Sequence, residues 1–555
     1  MHYESVHSDV HGQPKTELDL FDARVYQKAA YVEYSSPTGS LFYLKHKDVV
    51  ADSLRLRLDT RDSINGNVIS TVEYQQGRDF EFNAAAGRII LNRPLFGSNS
   101  GTTLIVGNQS GHNGDPIYLV ADYSYMLLDD WNKGVTGGTV RSSLTDHISI
   151  GAVVVNEDQK EAIYQLKGVD ATIHLDDQNK HALDVEYAQS QSRAAPKHVS
   201  TDGGFTWGIS ENQISTADSD TKGQSVAVQG KSSFRDDKVQ VDYYYRNVDE
   251  DFSAEATQYQ QGREAVGASV KIKVDEDLNV TVKHDSQKRK AAGDSQENNR
   301  VGAKSSHVTS IRADQQVNDD LQVSVELRHQ DVNEPDTNNQ AEANADMDAI
   351  AVQVRYQAAV NTELTLKQQV TLKGEDNTHT TVDIHHGVSE RLSVNAGGSH
   401  GKQVATAHAG VDYAASEKVS LNSGVKYDTD DRLTSNVGIS YTQESGHAYR
   451  VSATDDRGGD KDSAQSVAVG ASMSLTDSTT ISVDTSVKYS GNGQQNGTSA
   501  TLAHELDDQR NLSVSVANYD QTSADEQSTG NDITVALDLD ENWAIDVKTG
   551  QGYVH

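Results

Sequence analysis

The chain has 555 residues, no cysteine and a formal net charge of −34 at pH 7. This acidic excess argues against nucleic-acid binding, because a protein that neutralises phosphates needs a basic face. Without cysteine there are no disulfides, no thiolate metal sites and no cysteine nucleophile. The sequence also lacks the ~20 consecutive apolar residues of a membrane-spanning helix.

The first 130 residues differ from the rest. Residues 1–20 are polar, lack the basic and apolar regions of a signal peptide, and are predicted to be a flexible segment. Residues 21–130 contain longer mixed apolar runs and predict a small β-sandwich-like domain of roughly 100 residues. Its predicted strands fall at residues 40–44, 53–58, 68–72, 77–82, 88–91 and 116–125. The fourth and fifth of these are joined by Asn83–Gly87, which predicts a hairpin.

From residue 137 to residue 555 the sequence repeats short segments that alternate apolar and polar residues. Ile481–Tyr489 places Ile, Val, Thr, Val and Tyr on one face and Ser, Asp, Ser and Lys on the other. A period of two residues is typical of β-strands, because successive side chains point to opposite faces. We predict about 25 such strands, a spacing that suits the ~10-residue strands of a membrane barrel plus turns.

So many strands without an intervening helix have to close on one another. A single sandwich of this size is improbable, since large open sheets split or curl, whereas a large barrel has a lumen wide enough for polar inward residues. The predicted fold class is therefore all-β, with a large antiparallel transmembrane β-barrel of about 24–26 strands over residues 137–555, preceded by the small β-sandwich-like domain. A soluble or surface-exposed β-structure stays open, because the apolar face is weak at Leu392–Gly398.

Tyrosine recurs near the ends of the alternating segments. A tyrosine ring suits the bilayer interface, where its hydroxyl meets water, although tyrosine also has a high strand propensity in general. The repetition at strand ends favours an interfacial girdle. The girdle candidates are Tyr187, Tyr356, Tyr413, Tyr427, Tyr441, Tyr489 and Tyr519.

Eight segments within roughly residues 30–270 form a recognisable set: Gly39–Val49, Leu54–Asp62, Gly77–Phe80, Gly87–Leu95, Pro116–Val120, Ser200–Thr206, Asp251–Ala254 and Gln261–Glu264. Through these segments, this part of the chain resembles the outer-membrane barrel region, with its preceding small β-domain, of large multidomain Gram-negative surface proteins. The resemblance implies an outer-membrane β-barrel with a small attached β-domain and brings no catalytic residues with it.

Two groups of residues are candidates for metal sites. His379, His385, His386, His400 and His408 lie on neighbouring predicted strands, but adjacent positions point to opposite faces, so polar lumen histidines are favoured over a metal site. The acidic loop 455–462 lacks the spacing of an EF-hand, and a solvated loop is favoured over calcium binding. Nucleophile-elbow, phosphate-loop and zinc-protease motifs are absent.

The sequence therefore predicts a non-enzymatic integral protein of the Gram-negative outer membrane, with no cofactor and no metal. It would act as a large pore or conduit, or as the membrane anchor of a surface assembly, with the N-terminal domain as plug or docking module. The expected partners are outer-membrane lipid, other envelope or surface proteins, and divalent cations at acidic loops, but no nucleic acid. The alternative is a soluble or cell-surface β-rich adhesion protein without a membrane span.

Overall fold

The structure of the chain is a computed structural model, and every regular element in its described part is a β-strand. Among the described residues, none belongs to a helix long and apolar enough to cross a membrane. The described residues are 1–8, 14–24, 27–46, 49–50, 53–62, 66–84, 87–96, 98–99, 104–105, 115–126, 134–158, 163–176, 178, 180–191, 198–204, 206–209, 221–254, 261–290, 304–334, 343–344, 346–402, 405–416, 418–428, 431–443, 447–458, 463–476, 478–491, 493–507, 510–523, 527–540 and 543–554.

The strands of this part of the chain are numbered in chain order. They are β1 (His2–Glu4), β2 (Thr16–Arg24), β3 (Gln27–Ser35), β4 (Thr38–Tyr43), β5 (Arg55–Arg61), β6 (Val68–Tyr74), β7 (Phe80–Asn83), β8 (Arg88–Phe96), β9 (Ser98–Asn99), β10 (Asp115–Met126), β11 (Gly134–Thr145), β12 (Ile148–Asp158), β13 (Ile163–His174), β14 (His181–Gln191), β15 (His198–Ser200), β16 (Gly208–Ile209), β17 (Lys222–Phe234), β18 (Val239–Val248), β19 (Arg263–Lys273), β20 (Leu278–Arg289), β21 (Lys304–Asn318), β22 (Leu321–Glu334), β23 (Ala343–Asn344), β24 (Met347–Ala359), β25 (Thr362–Lys373), β26 (His379–Ser389), β27 (Leu392–Gly401), β28 (Ala405–Ala414), β29 (Val419–Tyr427), β30 (Leu433–Thr442), β31 (Ala448–Arg457), β32 (Ala464–Thr476), β33 (Thr479–Ser490), β34 (Gly493–Asp507), β35 (Arg510–Ser523), β36 (Gln527–Asp540) and β37 (Trp543–Val554).

Most of these strands form one antiparallel sheet, the wall of a large β-barrel. The described part of this sheet has 27 strands, of which β1 and β23 are short additions to 25 long strands. From β11 onwards, nearly every strand pairs with its neighbours in the sequence, so the wall is a meander. The predicted fold class and the predicted number of strands are confirmed.

The domain boundaries differ from the sequence prediction at the N-terminus. Thr16–Arg24 pairs antiparallel with β11 along nine residues, from Arg24 opposite Gly134 to Thr16 opposite Ser142. The segment predicted to be flexible therefore contributes β1 and β2 to the wall, and the wall resumes at Gly134 rather than at residue 137. The physical reason is that β2 is fixed by a partner more than 100 residues away, which its own short, acidic sequence does not reveal.

Residues 27–126 form a separate unit between β2 and β11, which we call the N-terminal module. Its strands make two small sheets, one in the order β3-β10-β5-β6 and the other in the order β4-β8-β7. The sheets pack through an apolar core whose fully buried members include Val32, Phe42, Phe80, Ile89 and Leu119. The predicted hairpin is confirmed, because β7 pairs antiparallel with β8.

A segment from the barrel completes the first sheet of the module. The connection between β14 and β17 contains the short strands β15 and β16. We call these two strands and the residues between them the strap. His198 to Ser200 pair parallel with Val32 to Tyr34 of β3, and β16 pairs with β15. The strap therefore belongs structurally to the module, although the sequence prediction placed it in the barrel.

The two rims of the barrel differ. At one rim the connections have two to six residues, and we call it the short-turn rim. The other, the long-loop rim, includes the 30-residue connection between β14 and β17 that carries the strap. The module joins β2 and β11 at this same rim, because Arg24 and Gly134 are the ends of the two strands that face it.

Candidate functional site in the barrel lumen

The wall strands have an apolar outer face and a polar inner face. On β22, Leu327 is 47% exposed, whereas its neighbours Glu326 and Arg328 are 7% and 6% exposed. On β31, Val451 is 46% exposed, whereas Arg450 is 8% exposed. This is the reverse of a soluble protein, where apolar side chains are usually the buried ones.

The outer face is continuous from strand to strand. Residues that lie directly opposite one another in a sheet share a face, so the pairing register defines rows around the barrel. One such row crosses seven strands, from β18 to β25, and every position in it is a β-branched residue or leucine. The row consists of Val241, Val270, Val282, Ile311, Leu327, Ile350 and Val370.

The N-terminal module lies inside the lumen. On one side, its strands β4 and β8 contact β30, β31 and β32. On the other side, the carboxylate of Asp62 lies 3.3 Å from the guanidinium of Arg328 on β22, and Asn67 Nδ2 donates to Tyr244 on β18 at 3.3 Å. A unit that reaches β18, β22 and β31 at once is enclosed by the wall.

Arg88 is the most deeply buried charge of this interface. Its side chain leaves the module strand β8, is 1% exposed, and donates to Ser486 Oγ at 3.0 Å and to the Gly497 carbonyl at 3.2 Å. Asp484 Oδ2 lies 3.8 Å from Arg88 Nη2. Hydrogen bonds from a charged group are the stronger ones, so Arg88 anchors the module to β33 and β34.

Further polar contacts fix the module to β31. Thr38 donates to Asp456 Oδ2 at 3.0 Å, and Arg432 on the neighbouring part of the wall donates to the same carboxylate at 2.7 Å. Deeper in the lumen, Arg450 pairs with Glu81 and also donates to Asn92 Oδ1 at 2.5 Å. These contacts follow one wall strand from the long-loop rim into the barrel.

Lys488 connects the wall, the strap and the module at one point. Its ammonium donates to the Asp202 carbonyl at 2.7 Å and to the Leu41 carbonyl at 3.4 Å. Gly203 has a positive φ of 76°, and a Cβ at this position would collide with the Lys488 ammonium. The neighbouring Gly204 has a φ of 104°, where a Cβ would collide with the carbonyl of Tyr43. This turn therefore depends on glycine for both backbone angle and space.

A polar cavity of about 250 Å³ lies beside this junction, between the module and the wall near the long-loop rim. Its lining combines Thr38 and Asp202 with the wall residues Arg432, Asp456 and Lys488. The charged groups of this lining already contact one another or the backbone, as described above, so the cavity is part of the polar interface.

The strap carries a titratable contact with the module. His198 Nδ1 lies 3.2 Å from the Lys45 ammonium. Burial, together with the nearby charge of Lys45, lowers the pKa of His198 to about 4. The imidazole is therefore neutral near pH 7, and in that state it accepts a hydrogen bond from Lys45.

On the short-turn side of the module, the inner face of the wall carries side chains that are exposed among the described residues, and we call the space that they line the vestibule. Its wall carries exposed charged side chains of both signs: Lys231, Asp242, Lys283, Arg355 and Glu363. A cavity of about 300 Å³ lies between β14 and β20, where Tyr244 donates to Asp285 at 2.8 Å. The vestibule is thus a space lined by charged side chains of both signs.

Five of the seven candidates for the tyrosine girdle have exposed side chains. Tyr187, Tyr356, Tyr413, Tyr427 and Tyr489 are exposed, and each lies on the apolar outer face. Tyr356 and Tyr413 lie near the short-turn rim, whereas Tyr427 and Tyr489 lie near the long-loop rim, at the last and the penultimate position of their strands. The side chain of Tyr519 lies outside the described residues. The interfacial role stays a prediction.

Tyr441 differs in being half-buried, with its ring centroid 6.0 Å from that of Tyr449 on β31. Both tyrosines lie near the short-turn rim, since Tyr441 is close to the end of β30 and Tyr449 to the start of β31. Sequence reasoning did not select Tyr449, because it stands at the beginning of its strand rather than at the end.

The five histidines do not form one cluster. His379, His385 and His408 belong to the inner face, whereas His386 and His400 pair into rows of the outer face. His408 Nε2 lies 3.5 Å from Asp383 Oδ1. In the ranges that the structure describes, the one grouping of side chains with metal-ligand spacing is instead His2, Glu17 and Asp19, on β1 and β2. Part of the acidic loop 455–462 lies outside the described residues.

No protein-family model matches the chain, and no curated protein matches it. Solved structures that are similar include the FrpB iron transporter from Neisseria meningitidis, with 9% identity over 82% of this chain and 87% of that chain and a TM-score of 0.36. Another is the ferric-catecholate import receptor Fiu from E. coli K12, with 10% identity over 100% of this chain and 99% of that chain and a TM-score of 0.29. A third is OccAB2 from Acinetobacter baumannii, with 8% identity over 76% of this chain and 98% of that chain and a TM-score of 0.26. At such scores the structures do not superpose, so we draw no conclusion about function from them.

Proposed function

We propose that the chain is an integral β-barrel of the Gram-negative outer membrane whose lumen is closed by its own N-terminal module. The observation that carries this proposal is the inverted wall, with an apolar row outside and charged side chains inside. In a bilayer the outer row lies against lipid instead of water, and the pairing of neighbouring strands along the meander satisfies backbone hydrogen bonds of the wall. The exposed tyrosines near both rims support the same placement.

Two functions remain for such a barrel. As a conduit, it would pass solutes through the vestibule when the module moves or loosens. As an anchor, it would fix other parts of a surface assembly and stay closed. The attachment of the module at three places favours the anchor: β2 and β11 hold its ends, and the strap extends its sheet. The exposed charged side chains that line the vestibule favour the conduit. The resemblance to large surface proteins stays a prediction.

The first experiment addresses the membrane. Natively expressed protein is washed with carbonate and urea, and its gel migration is compared with and without boiling. A membrane barrel resists the washes and migrates more slowly after boiling. Release into buffer without detergent would contradict the proposal and leave the soluble adhesion protein as the better explanation.

The second experiment separates conduit from anchor. The full chain is reconstituted into planar bilayers and its conductance is recorded, together with that of Arg88→Met, which loosens the module. A conduit gives discrete openings that become more frequent in Arg88→Met. An anchor shows no conductance in either form. If the first experiment has established a membrane barrel, this result assigns it the role of a closed membrane support.

A further inference from the structure

An imidazole and three carboxylates meet where β1 pairs with β2. His2 and Glu4 on β1 lie directly opposite Asp19 and Glu17 on β2. His2 Nδ1 is 2.6 Å from Asp19 Oδ1, and His2 Nε2 is 3.2 Å from Glu4 Oε1. One ligand atom from each of His2, Glu17 and Asp19 lies within 4.8 Å of the other two. Two paired strands thus bring a mixed set of nitrogen and oxygen donors to one point.

These side chains belong to the inner face of the wall. Leu18, which lies between Glu17 and Asp19, is in a row that runs through Val140 to Tyr187 on the outer face. Neighbouring residues of a strand point to opposite faces, so Glu17 and Asp19 point into the lumen. Glu17 is the second residue of β2, at the end of the strand that lies away from the long-loop rim. The cluster therefore faces the vestibule.

The donors are accessible, and the basic residues of the wall do not occupy them. The side chains of His2 and Asp19 are 56% and 41% exposed, so ions in water reach both. In the described part of the chain, neither Glu17 nor Asp19 pairs with a lysine or an arginine. Arg141, which lies opposite Glu17 in the sheet, pairs instead with Asp170 at 3.0 Å. Both carboxylates are therefore free to coordinate a cation.

The backbone holds the donors in place. The amino group of Met1 donates to the Leu20 carbonyl at 2.5 Å, and the Ser5 amide donates to the Thr16 carbonyl at 2.8 Å. These bonds flank the three residue pairs that join β1 to β2. A site whose ligands are supported by paired strands is better preorganised than one on a loop.

The wall also contains a histidine–aspartate pair without a third donor. His329 Nδ1 lies 2.6 Å from Asp348 Oδ1, and their side chains are 58% and 37% exposed. In distance and exposure this pair matches that of His2 and Asp19. Among the described residues, however, it belongs to no group of three ligands. The convergence of a third ligand distinguishes the cluster on β1 and β2 from an ordinary exposed pair.

We propose that β1 and β2 bind one Zn²⁺ ion through His2 Nδ1 and the carboxylates of Glu17 and Asp19, and that the ion fixes β1 to the wall. Zinc binds imidazole nitrogen and carboxylate oxygen at about 2.0–2.2 Å, and a site with three protein ligands keeps a position for water. An imidazole ligand favours zinc over Mg²⁺ and Ca²⁺, which prefer oxygen ligands.

Glu4 has the position of an orienting group for His2. A histidine that binds a metal through one ring nitrogen commonly donates its other N–H to a carboxylate. With Nδ1 on the ion, the remaining proton of the neutral imidazole lies on Nε2, which faces Glu4 Oε1. A second proton, where His2 carries one, passes to the solvent when the ion binds. Glu4 is thus a positioning residue rather than a ligand.

The test is isothermal titration calorimetry of the full chain in detergent with ZnCl₂, at a mildly alkaline pH where histidine is neutral. The chain has 20 histidines, so the quantity of interest is the tightest class of sites. We expect this class to hold one Zn²⁺ per chain. Mg²⁺ and Ca²⁺ should bind there about 100-fold more weakly or less, because the site includes a nitrogen ligand.

Matched variants locate the site. His2→Ala and Asp19→Asn each remove one ligand and should weaken the tightest binding by about tenfold or more. His329→Ala removes the comparison pair and should leave the binding within about twofold. Zn²⁺ should also slow hydrogen exchange of the Ser5 amide in the wild type and in His329→Ala, but not in Asp19→Asn. Asparagine is isosteric with aspartate and still accepts a hydrogen bond, so β1 stays paired in this variant.

Glu4 requires a separate pair of variants. Glu4→Leu removes the acceptor for Nε2–H and should weaken binding by about tenfold. Glu4→Gln keeps an amide oxygen that accepts this proton and should restore most of the affinity. Equal losses in the two variants would show that Glu4 acts through its charge and not by orienting His2.

Equal effects of His2→Ala and His329→Ala on the tightest site would overturn the proposal, and so would the absence of such a site in the wild type. Ca²⁺ binding as tight as that of Zn²⁺ would also overturn it, because a group of acidic side chains alone would then explain the result. The titration does not require a bilayer. Failure of the membrane placement and failure of the zinc site therefore give different results.

Discussion

Replacing Arg88 by methionine tests whether the module is held in the lumen by a few buried polar contacts. Methionine keeps much of the apolar volume but removes the hydrogen bonds to Ser486 Oγ and to the Gly497 carbonyl. Each hydrogen bond from a charged group contributes roughly 1.5–3 kcal/mol, and part of this is recovered by burying the thioether. We expect the docked state to lose about 3 kcal/mol relative to the undocked state.

The assay takes advantage of a chain without cysteine. Ala468 on β32 is 3% exposed and packs against Leu41, Tyr43 and Ile90 of the module, so Ala468→Cys places a thiol beneath it. The thiol reacts with a maleimide only when the module moves away, and the labelling rate then follows the undocked population. A loss of 3 kcal/mol corresponds to an acceleration of about 150-fold, at 1.36 kcal/mol for each factor of ten.

The control is Arg78→Met in the same Ala468→Cys background. Arg78 is an exposed residue that pairs with Asp79 within the module, and such solvent-exposed ion pairs contribute little to stability because water screens them. Its labelling rate should therefore stay within about fivefold of the parent. If Arg88→Met also accelerates labelling by less than about fivefold, the buried contacts of Arg88 do not hold the module, and the reasoning is wrong.

Three further predictions concern other parts of the molecule. Val451→Arg on the outer face should destabilise the barrel in lipid vesicles by about 2–4 kcal/mol, and Leu475→Arg near the short-turn rim by about 0–1 kcal/mol, as measured by guanidinium unfolding. In the docked strap the pKa of His198 is lowered to about 4, whereas a histidine in the undocked strap has its ordinary pKa of about 6.5. As the pH falls from about 6.5 towards 4, the undocked strap therefore binds a proton that the docked strap does not, and docking should weaken. Hydrogen exchange of β15 measures this, and the dependence should disappear in His198→Gln; an unchanged dependence would assign it to another group. Gly204→Ala should speed exchange in the same strand even at pH 7, since the left-handed φ and the collision with a β4 carbonyl both oppose a Cβ; protection equal to that of the parent would show that the turn adapts.

The sequence reveals the wall because its information is local. Alternation over eight or nine residues, as in Ile481–Tyr489, is sufficient to specify a strand and its faces, and the structure places that segment within β33. The strands of the module were likewise predicted from apolar runs, and β6 and β10 are found close to the expected positions. Pattern alone therefore predicted the fold class.

What the sequence does not reveal is set by long-range contacts. β2 has the short sequence Thr-Glu-Leu-Asp-Leu-Phe-Asp-Ala-Arg, and its membership in the wall depends on β11. The strap resembles any other loop segment until β3 is beside it. Arg88 and Lys488 are ordinary basic residues in the sequence, and only the docked module makes them buried anchors. Their selection would have required knowing which strands enclose the module.

The strap also has a consequence for the order in which the molecule is made. The first sheet of the module contains β3, which is synthesised early, and β15, which is synthesised only after β14. The sheet therefore stays incomplete until the five long wall strands that precede the strap, β2 and β11 to β14, have emerged. A newly made chain would carry an unfinished module into the envelope, and the later strands would have to wrap around it. The strap thus links completion of the module to the presence of the first part of the wall.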